Sequence, residues 1–312
     1  MSQRADPMPP CPICHRGTAG QKRLFGARRA LLDMGRSGDR FACTSGLAGT
    51  HAEIYWCASC RVGYSLPPPS GWLLAEYEGV VDPSYLEEEA HRLRNADWLL
   101  SRVERYRAPG ALYEVGASVG ILLQAARARG WSVAGIEPSS WAVAVAHQRY
   151  SLGIRQGTIE SDPGPPAPVD CVAMSDVLEH LVDPQEAVFK AAGWLAPGGI
   201  LALVTVNMAA LPARLLRGHW PGFMDMHLTY FTPHALRSML RIAGLETVEL
   251  RAAPRRLTAG YVGRRLRGTG GPADLAARVL TLPLVRDARL TIRSRDLMLV
   301  IGRKADPPLI QA

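Results

Sequence analysis

Between Ala111 and Val206 short apolar runs alternate with stretches in which apolar residues recur every three or four positions. These two periods distinguish buried strands from amphipathic helices. The first strand is predicted over Ala111–Val115, followed by a small-residue loop, Gly116–Gly120, and a helix over Ile121–Arg129 that Gly130 ends. Ser132–Ile136 reads as a second strand, and Ser139 or Ser140 can cap a helix running through His147. A third strand is predicted over Ile154–Ile159 and a fourth over Asp170–Met174, with a proline-rich surface loop at 162–168 between them. Pro184 opens a helix to about Leu195, and the turn Pro197–Gly199 leads into a fifth strand, Ile200–Val206. This alternation predicts an α/β fold with a doubly wound, mostly parallel sheet that takes ligands at the carboxyl ends of its strands.

The flanks change period. Leu86, Ala90, Leu93, Ala96, Leu100 and Val103 place a helix over Pro83–Arg107, read as a lid or connector. Three consecutive prolines in Leu66–Gly71 mark a boundary before it. Downstream, Thr232 caps a helix that Pro233 opens and Gly244 ends, and two further strands, Glu246–Leu250 and Leu297–Ile301, bracket an insert. The chain is therefore divided into an N-terminal module (1–66), a linker and helical lid (67–108), an α/β domain (109–304) with a basic helical insert (251–295), and a tail (305–312).

Composition narrows the class. At 312 residues, 47% hydrophobic and 21% charged, the chain can bury a large core and is not a disordered one. It has no run of 18 apolar residues and its start has no apolar signal core, so no transmembrane helix and a cytoplasmic location are expected. The net charge of +8 is uneven: from Arg251 onward 13 Lys+Arg face 4 Asp, leaving the first 250 residues at −1. Arg255, Arg256, Arg264, Arg265 and Arg267 cluster around Tyr261. Guanidinium forks suit a phosphate-bearing substrate, and the same charge would suit RNA or peripheral contact with an anionic membrane surface. A plain solvated face in an arginine-rich chain competes with all three.

Four of the six cysteines form two knuckles, Cys11-x-x-Cys14 and Cys57-x-x-Cys60, separated by 42 residues. Paired knuckles complete a tetrahedral sulfur site, so a structural Zn²⁺ is expected, in preference to redox use of either pair. Cys43 and His15 are spare ligands that the spacing does not need, and Cys171, in an apolar run, reads as a core thiol.

A dinucleotide fingerprint starting at Gly116 would need glycine where Ser118 and Ile121 stand, so NAD is a poor fit. What remains is Glu114-x-Gly116-x-Ser118-x-Gly120 with an acid, Glu137, after the second strand, where a carboxylate can accept both hydroxyls of a ribose. The segments LYEVGASVG (112–120), GIEPS (135–139), DCVAMSDVLEHLVDP (170–184), LAPGGILALVTVN (195–207), HLTYFTPHALRSMLRIAGL (227–245) and DLMLVIGRK (296–304) together resemble class I S-adenosylmethionine-dependent methyltransferases. The resemblance covers about Trp98 to Lys304, and the double knuckle resembles the zinc-ribbon extension of a bacterial subgroup that includes sugar methyltransferases.

The resemblance implies a seven-stranded, Rossmann-like methyltransferase sheet and S-adenosyl-L-methionine as donor. It places Glu114, Gly116, Ser118 and Gly120 around the donor's methionine part, Glu137 on the ribose, and Thr158, Ile159 and Glu160 in the adenine segment, where Thr158 replaces the family's usual aspartate. Asp176 and His180 would stand beside the transferable methyl. Methyl transfer to a hydroxyl needs a base near neutral pKa. His227 is the first candidate and His180 the second, although His180 also reads as a ring bonded to a main-chain carbonyl. Tyr85, Trp220 and Tyr230 are candidate pocket walls, and Glu179 reads as solvent-facing or capping. The expected acceptor is a small molecule or glycan, such as a nucleotide sugar or lipid-linked glycan, methylated on oxygen in preference to carbon. RNA methylation, and a donor-binding regulator or zinc-bearing interaction module that has lost turnover, are the alternatives.

Overall fold

A computed structural model describes residues 8–16, 20–28, 50–66, 72–266 and 272–306. Cys43, Arg267 and most of the triple-proline boundary lie outside the described residues. The chain opens with β1 (Gln21–Phe25), β2 (Ile54–Cys57) and β3 (Val62–Tyr64), then α1 (Trp72–Glu78), α2 (Ser84–Glu87) and α3 (Glu89–Val103). The alternating region follows: β4 (Ala111–Val115), α4 (Ile121–Ala128), β5 (Ser132–Glu137), α5 (Ser140–Tyr150), β6 (Ile154–Gln156), β7 (Val169–Ser175), α6 (Pro184–Trp194) and β8 (Leu195–Val206). After α7 (Leu211–Leu216), β9 (Thr229–Tyr230) and α8 (Pro233–Ile242) come β10 (Leu245–Ala252), β11 (Arg255–Thr258), α9 (Ala259–Leu266), α10 (Pro272–Leu280), β12 (Arg289–Ile292) and β13 (Leu297–Lys304).

Helix starts follow the capping chemistry in the sequence. The Ser139 hydroxyl accepts from the Ala142 amide at 3.1 Å, Asp183 accepts from Glu186 at 2.9 Å, and Thr232 accepts from Ala235 at 3.2 Å. Pro184 and Pro233 follow two of these caps, where no amide donor is needed.

Seven strands make one sheet in the order β10-β13-β8-β7-β4-β5-β6. β4 to β8 run parallel, while β13 is antiparallel to both β8 and β10. Two apolar layers, one on each face, bury the near-continuous hydrophobic strands β7 and β8. The order reverses at β4, whose neighbours are β5 and β7, so loops leaving these carboxyl ends diverge and open a crevice.

Three elements depart from the sequence pattern. The predicted lid helix breaks at Glu88, whose carboxylate turns to accept from the Thr258 amide and hydroxyl at 3.1 and 2.6 Å. The third strand stops at Gln156 because Gly157 takes φ +153. The fifth begins at Leu195, since the turn around Gly198 forms a bulge between the Val169–Leu195 and Cys171–Ile200 pairs.

A four-stranded sheet, β1-β2-β3-β9, joins the N-terminal module to the α/β domain. Gly63 pairs with Tyr230 and Tyr64 with Thr229, across more than 160 residues of chain. A Cβ at Gly63 would meet the Met208 sulfur at 2.9 Å, so a larger residue there would displace that flexible side chain. Cys11, Cys57, Val62 and Tyr64 share an apolar cluster with Val188, Leu203 and Leu240 of the larger domain. The insert forms an antiparallel β11-β12 pair joined through α9 and α10, and Asn95 of α3 clamps the Arg256 main chain from both sides at 3.2 and 3.1 Å.

Candidate active site

The carboxyl ends of β4, β5, β7 and β8 open into a cavity of about 1100 Å³. Its size exceeds the roughly 300–1,000 Å³ that holds one drug-sized ligand, leaving space for two reactants side by side. Glu114, Gly116, Ser118, Glu137, Ile159 and Asp176 line one part; Tyr77, His180, Trp220, His227, Arg255 and Tyr261 line the rest.

On the first side the backbone is shaped for close approach. Gly116 has φ +69, and a Cβ there would strike Val177 Cγ2 at 2.4 Å. Ser118 also sits in the left-handed region, at φ +48, which an ordinary side chain tolerates at modest cost. Its amide donates to Glu137 Oε2 at 2.8 Å, and the Ser139 amide donates to Oε1 at 2.9 Å. Two backbone donors thus orient Glu137 while each oxygen keeps a lone pair for a further donor. Burial pushes the Glu137 carboxyl up against the pull of those two amides. Glu114 is 4% exposed, and its Oε2 has no partner. Burial, then the charge of Glu137, pushes its pKa well above the usual carboxylate range. An unsatisfied buried carboxylate oxygen beside a glycine cradle fits a ligand bearing a cationic ammonium group, and the amides and Glu137 fit one bearing a ribose.

Gly120 departs from the expectation. It does not line the cavity: at φ +82 it starts α4, and a Cβ would strike Leu152 Cδ1 at 2.5 Å, so its role is packing. Tyr230 is likewise fully buried behind the wall, its hydroxyl donating to the Met224 carbonyl at 3.0 Å, whereas Tyr85 and Trp220 do line the cavity.

The deep end gathers ionisable groups. Asp176, at φ +55 beyond β7, is exposed to the cavity, with the Arg255 and Arg92 guanidiniums nearby. Glu179 overturns its reading as solvent-facing or capping: it is fully buried behind the wall, its Oε2 accepting from Thr205 at 2.8 Å. Burial first, and Asp176 second, push it up to about 8. The sequence hides this because a tight turn at Leu178–His180 folds Glu179 inward. Ligand atoms of Glu179, His180 and His227 lie within 4.8 Å of one another.

The two imidazoles meet edge to face, with centroids 4.7 Å apart. His180 Nδ1 lies 3.0 Å from the Met226 carbonyl and 2.7 Å from the Tyr77 hydroxyl. Burial lowers its pKa to about 4, so the ring is neutral at pH 7. His227, 7% exposed, has Nδ1 2.9 Å from the Gly222 carbonyl. A carbonyl only accepts, so this pairing puts the proton on Nδ1 and the lone pair on Nε2.

Arg255, Arg256 and Arg264 are the cluster members whose side chains are described. Arg255 and Arg256 line the cavity, Arg256 donates to the Arg94 carbonyl at 3.2 Å, and Arg264 pairs with Glu87 and Glu88 at 3.3 and 3.6 Å.

Away from the cavity, the sulfurs of Cys11, Cys14, Cys57 and Cys60 lie within 4.8 Å of one another. Cys14 and Cys57 stand 3.9 Å apart. A tetrahedral ion with sulfur at about 2.3 Å has edges of about 3.8 Å, so the spacing matches a metal site and is far longer than a disulfide.

A sequence model of the methyltransferase domain family matches residues 85–250, more than half of the chain. The chain is 31% identical over 163 residues to a ubiquinone biosynthesis O-methyltransferase of Thiobacillus denitrificans, covering 46% of this chain and 69% of that one. A Caulobacter vibrioides protein of the same name is 31% identical over 143 residues, covering 41% and 56%. Among solved structures, a chain from the complex between the Haloferax volcanii Trm112 methyltransferase activator and a methyltransferase superposes with a TM-score of 0.51 at 18% identity, covering 70% of this chain and 92% of that one. No helix among the described residues is long and apolar enough to cross a membrane. With the seven-stranded sheet and its cavity, these matches show that the chain belongs to the methyltransferase domain family and is an S-adenosylmethionine-dependent methyltransferase.

Proposed function

We propose that this methyltransferase acts on a hydroxyl of a small-molecule or glycan acceptor, with His227 as general base. The observation that carries this reading is the His227–Gly222 hydrogen bond, which favours the Nδ1–H tautomer of a ring lining the cavity. His180 lines the same wall, but a pKa lowered to about 4 makes it a weak proton acceptor at neutral pH, and it serves to hold the His227 loop. The name of the curated relatives supports oxygen as the methylated atom.

When bound, the donor supplies an electrophilic methyl on a sulfonium. In this reading Glu114 pairs with its ammonium, the amide-oriented Glu137 accepts from its ribose, and Ile159 packs on its adenine. Asp176 stands at the methyl-bearing end. His227 takes the acceptor proton, and the apolar side chains of Trp220 and Tyr261 exclude water while the hydroxyl is aligned. Arg255 supports an acceptor with an anionic group. The Cys11–Cys14–Cys57–Cys60 cluster holds Zn²⁺ as a closed structural site, with no open position for catalysis.

The test is transfer of labelled methyl from S-adenosylmethionine into fractionated cell extract, scored for nucleotide sugars, lipid-linked glycans, other metabolites and RNA. Label in a small-molecule or glycan fraction is expected; label confined to RNA would overturn the acceptor assignment. With the identified acceptor, His227→Gln should lower turnover by about 10²–10⁴ with S-adenosylhomocysteine affinity unchanged. Unchanged turnover would remove His227 from the chemistry.

A further inference from the structure

The segment carrying His227 is held from two sides. On one side the Leu228 amide donates to the Glu179 carbonyl at 2.7 Å. On the other stands the N-terminal module: the Ser65 amide donates to the Leu228 carbonyl at 2.9 Å, and the Ser65 hydroxyl donates to the His227 carbonyl at 3.1 Å. Ser65 is 5% exposed, and β3, which leads to it, is buried throughout. Immediately after His227 and Leu228 the segment becomes β9 and pairs with β3, and the Thr232 hydroxyl then donates to the Arg61 carbonyl at 2.8 Å. The β2-β3 hairpin therefore has the Cys57–Cys60 knuckle at its turn and the His227 contacts at its far end.

We propose that Ser65 is a positioning residue for His227, and that occupancy of the four-cysteine site sets that position through the β2-β3 hairpin. Two of the four sulfurs sit in the hairpin turn, so a bound ion fixes the turn, and the paired strands carry that order to Ser65 within five residues of Cys60. Loss of the ion leaves four thiols with no common partner, and the turn that anchors the hairpin loses its cross-link to Cys11 and Cys14. The Leu228 amide then keeps its bond to Glu179, while the His227 and Leu228 carbonyls lose a fixed partner on the other side. The proposal rests on the reading of His227 as the base; the hydrogen bonds that motivate it do not.

The experiment uses the full chain loaded with S-adenosylhomocysteine and ¹⁵N-labelled at histidine. Long-range ¹H–¹⁵N spectra report the tautomer of each ring, and His227→Gln assigns the signal. In zinc-bound protein His227 is expected as the Nδ1–H tautomer. In Ser65→Ala, and in protein stripped with a chelator and checked by elemental analysis, the signal should move toward an average of both tautomers. Ser65→Thr, which keeps the hydroxyl, should restore it. His147 and His234, on α5 and α8, are internal controls and should not move. Ser65→Ala should also lower turnover about tenfold with no change in donor KM, in line with the loss of one buried hydrogen bond. A His227 signal unchanged by either treatment overturns the proposal, and a response to Ser65→Ala without one to metal removal overturns the metal coupling. If His227→Gln retains full turnover, the base assignment fails on its own, and the spectra still report whether Ser65 holds the loop.

Discussion

At the scale of single residues, two positions show how the cavity spends stability on function. Gly116 holds φ +69 with Val177 in the space of a Cβ, whereas Gly130, at φ +90, has open space around it. Both substitutions to alanine incur the left-handed penalty of about 1 kcal/mol. Only Gly116→Ala must also move the wall of the cavity, so it should weaken S-adenosylhomocysteine binding at least tenfold by calorimetry, while Gly130→Ala leaves that affinity unchanged. Glu179 makes a different prediction. Its folded pKa, about 8, lies above the ordinary carboxyl value of 4.5, so the stability it contributes is full below pH 4.5 and is lost as pH rises to 8. Glu179→Gln removes this titration while keeping an acceptor for Thr205. Its melting temperature should gain on wild type between pH 5 and pH 8, by an amount on the order of a few kcal/mol of stability. Equal differences at both pH values would contradict the assignment.

At the scale of elements, the insert is placed by two polar side chains of the helices below it. Glu88 is 3% exposed and accepts twice from Thr258, and Asn95 clamps Arg256. Glu88→Ala leaves the Thr258 amide without its acceptor, a cost of about 1–3 kcal/mol. Hydrogen exchange should rise over residues 255–266 and stay unchanged in β4, and acceptor KM should rise more than donor KM because Arg255 and Tyr261 line the cavity. These contacts also mark the limit of reading elements from sequence. β4, β5, β7 and β8 and the three capped helices were legible because each is written in local periods and cap residues. Glu114, Gly116, Ser118, Glu137, Ile159 and Asp176, which the family resemblance implies as donor-binding, share one part of the cavity lining. The helix break at Glu88, the burial of Glu179 and the β3-β9 pair were not. Each depends on a partner more than 20 residues away, and nothing in a local pattern encodes such a partner. Composition does not show the pairing of the arginine cluster either: Arg256 donates to the Arg94 carbonyl, and Arg264, though exposed, pairs with Glu87 and Glu88.

At the scale of the molecule, the question is whether the N-terminal module melts alone. A module joined only by a linker would unfold in its own transition, and metal removal would leave the larger domain untouched. Here Cys11 and Cys57 lie within the same apolar cluster as the strands and helices of the seven-stranded sheet, and β9 belongs to the module's own sheet. Opening the module therefore exposes Leu203, Leu240 and Phe231 from the large core, so its unfolding is coupled to theirs. Calorimetry of the zinc-bound chain should show one cooperative transition. Chelation should lower its midpoint as a whole, because binding free energy at a closed thiolate site is folding free energy for every element that shares its core. Two separate transitions, with only the earlier one sensitive to the chelator, would mean that the shared cluster does not couple the two parts, and that the module is an appendage whose metal stabilises itself alone.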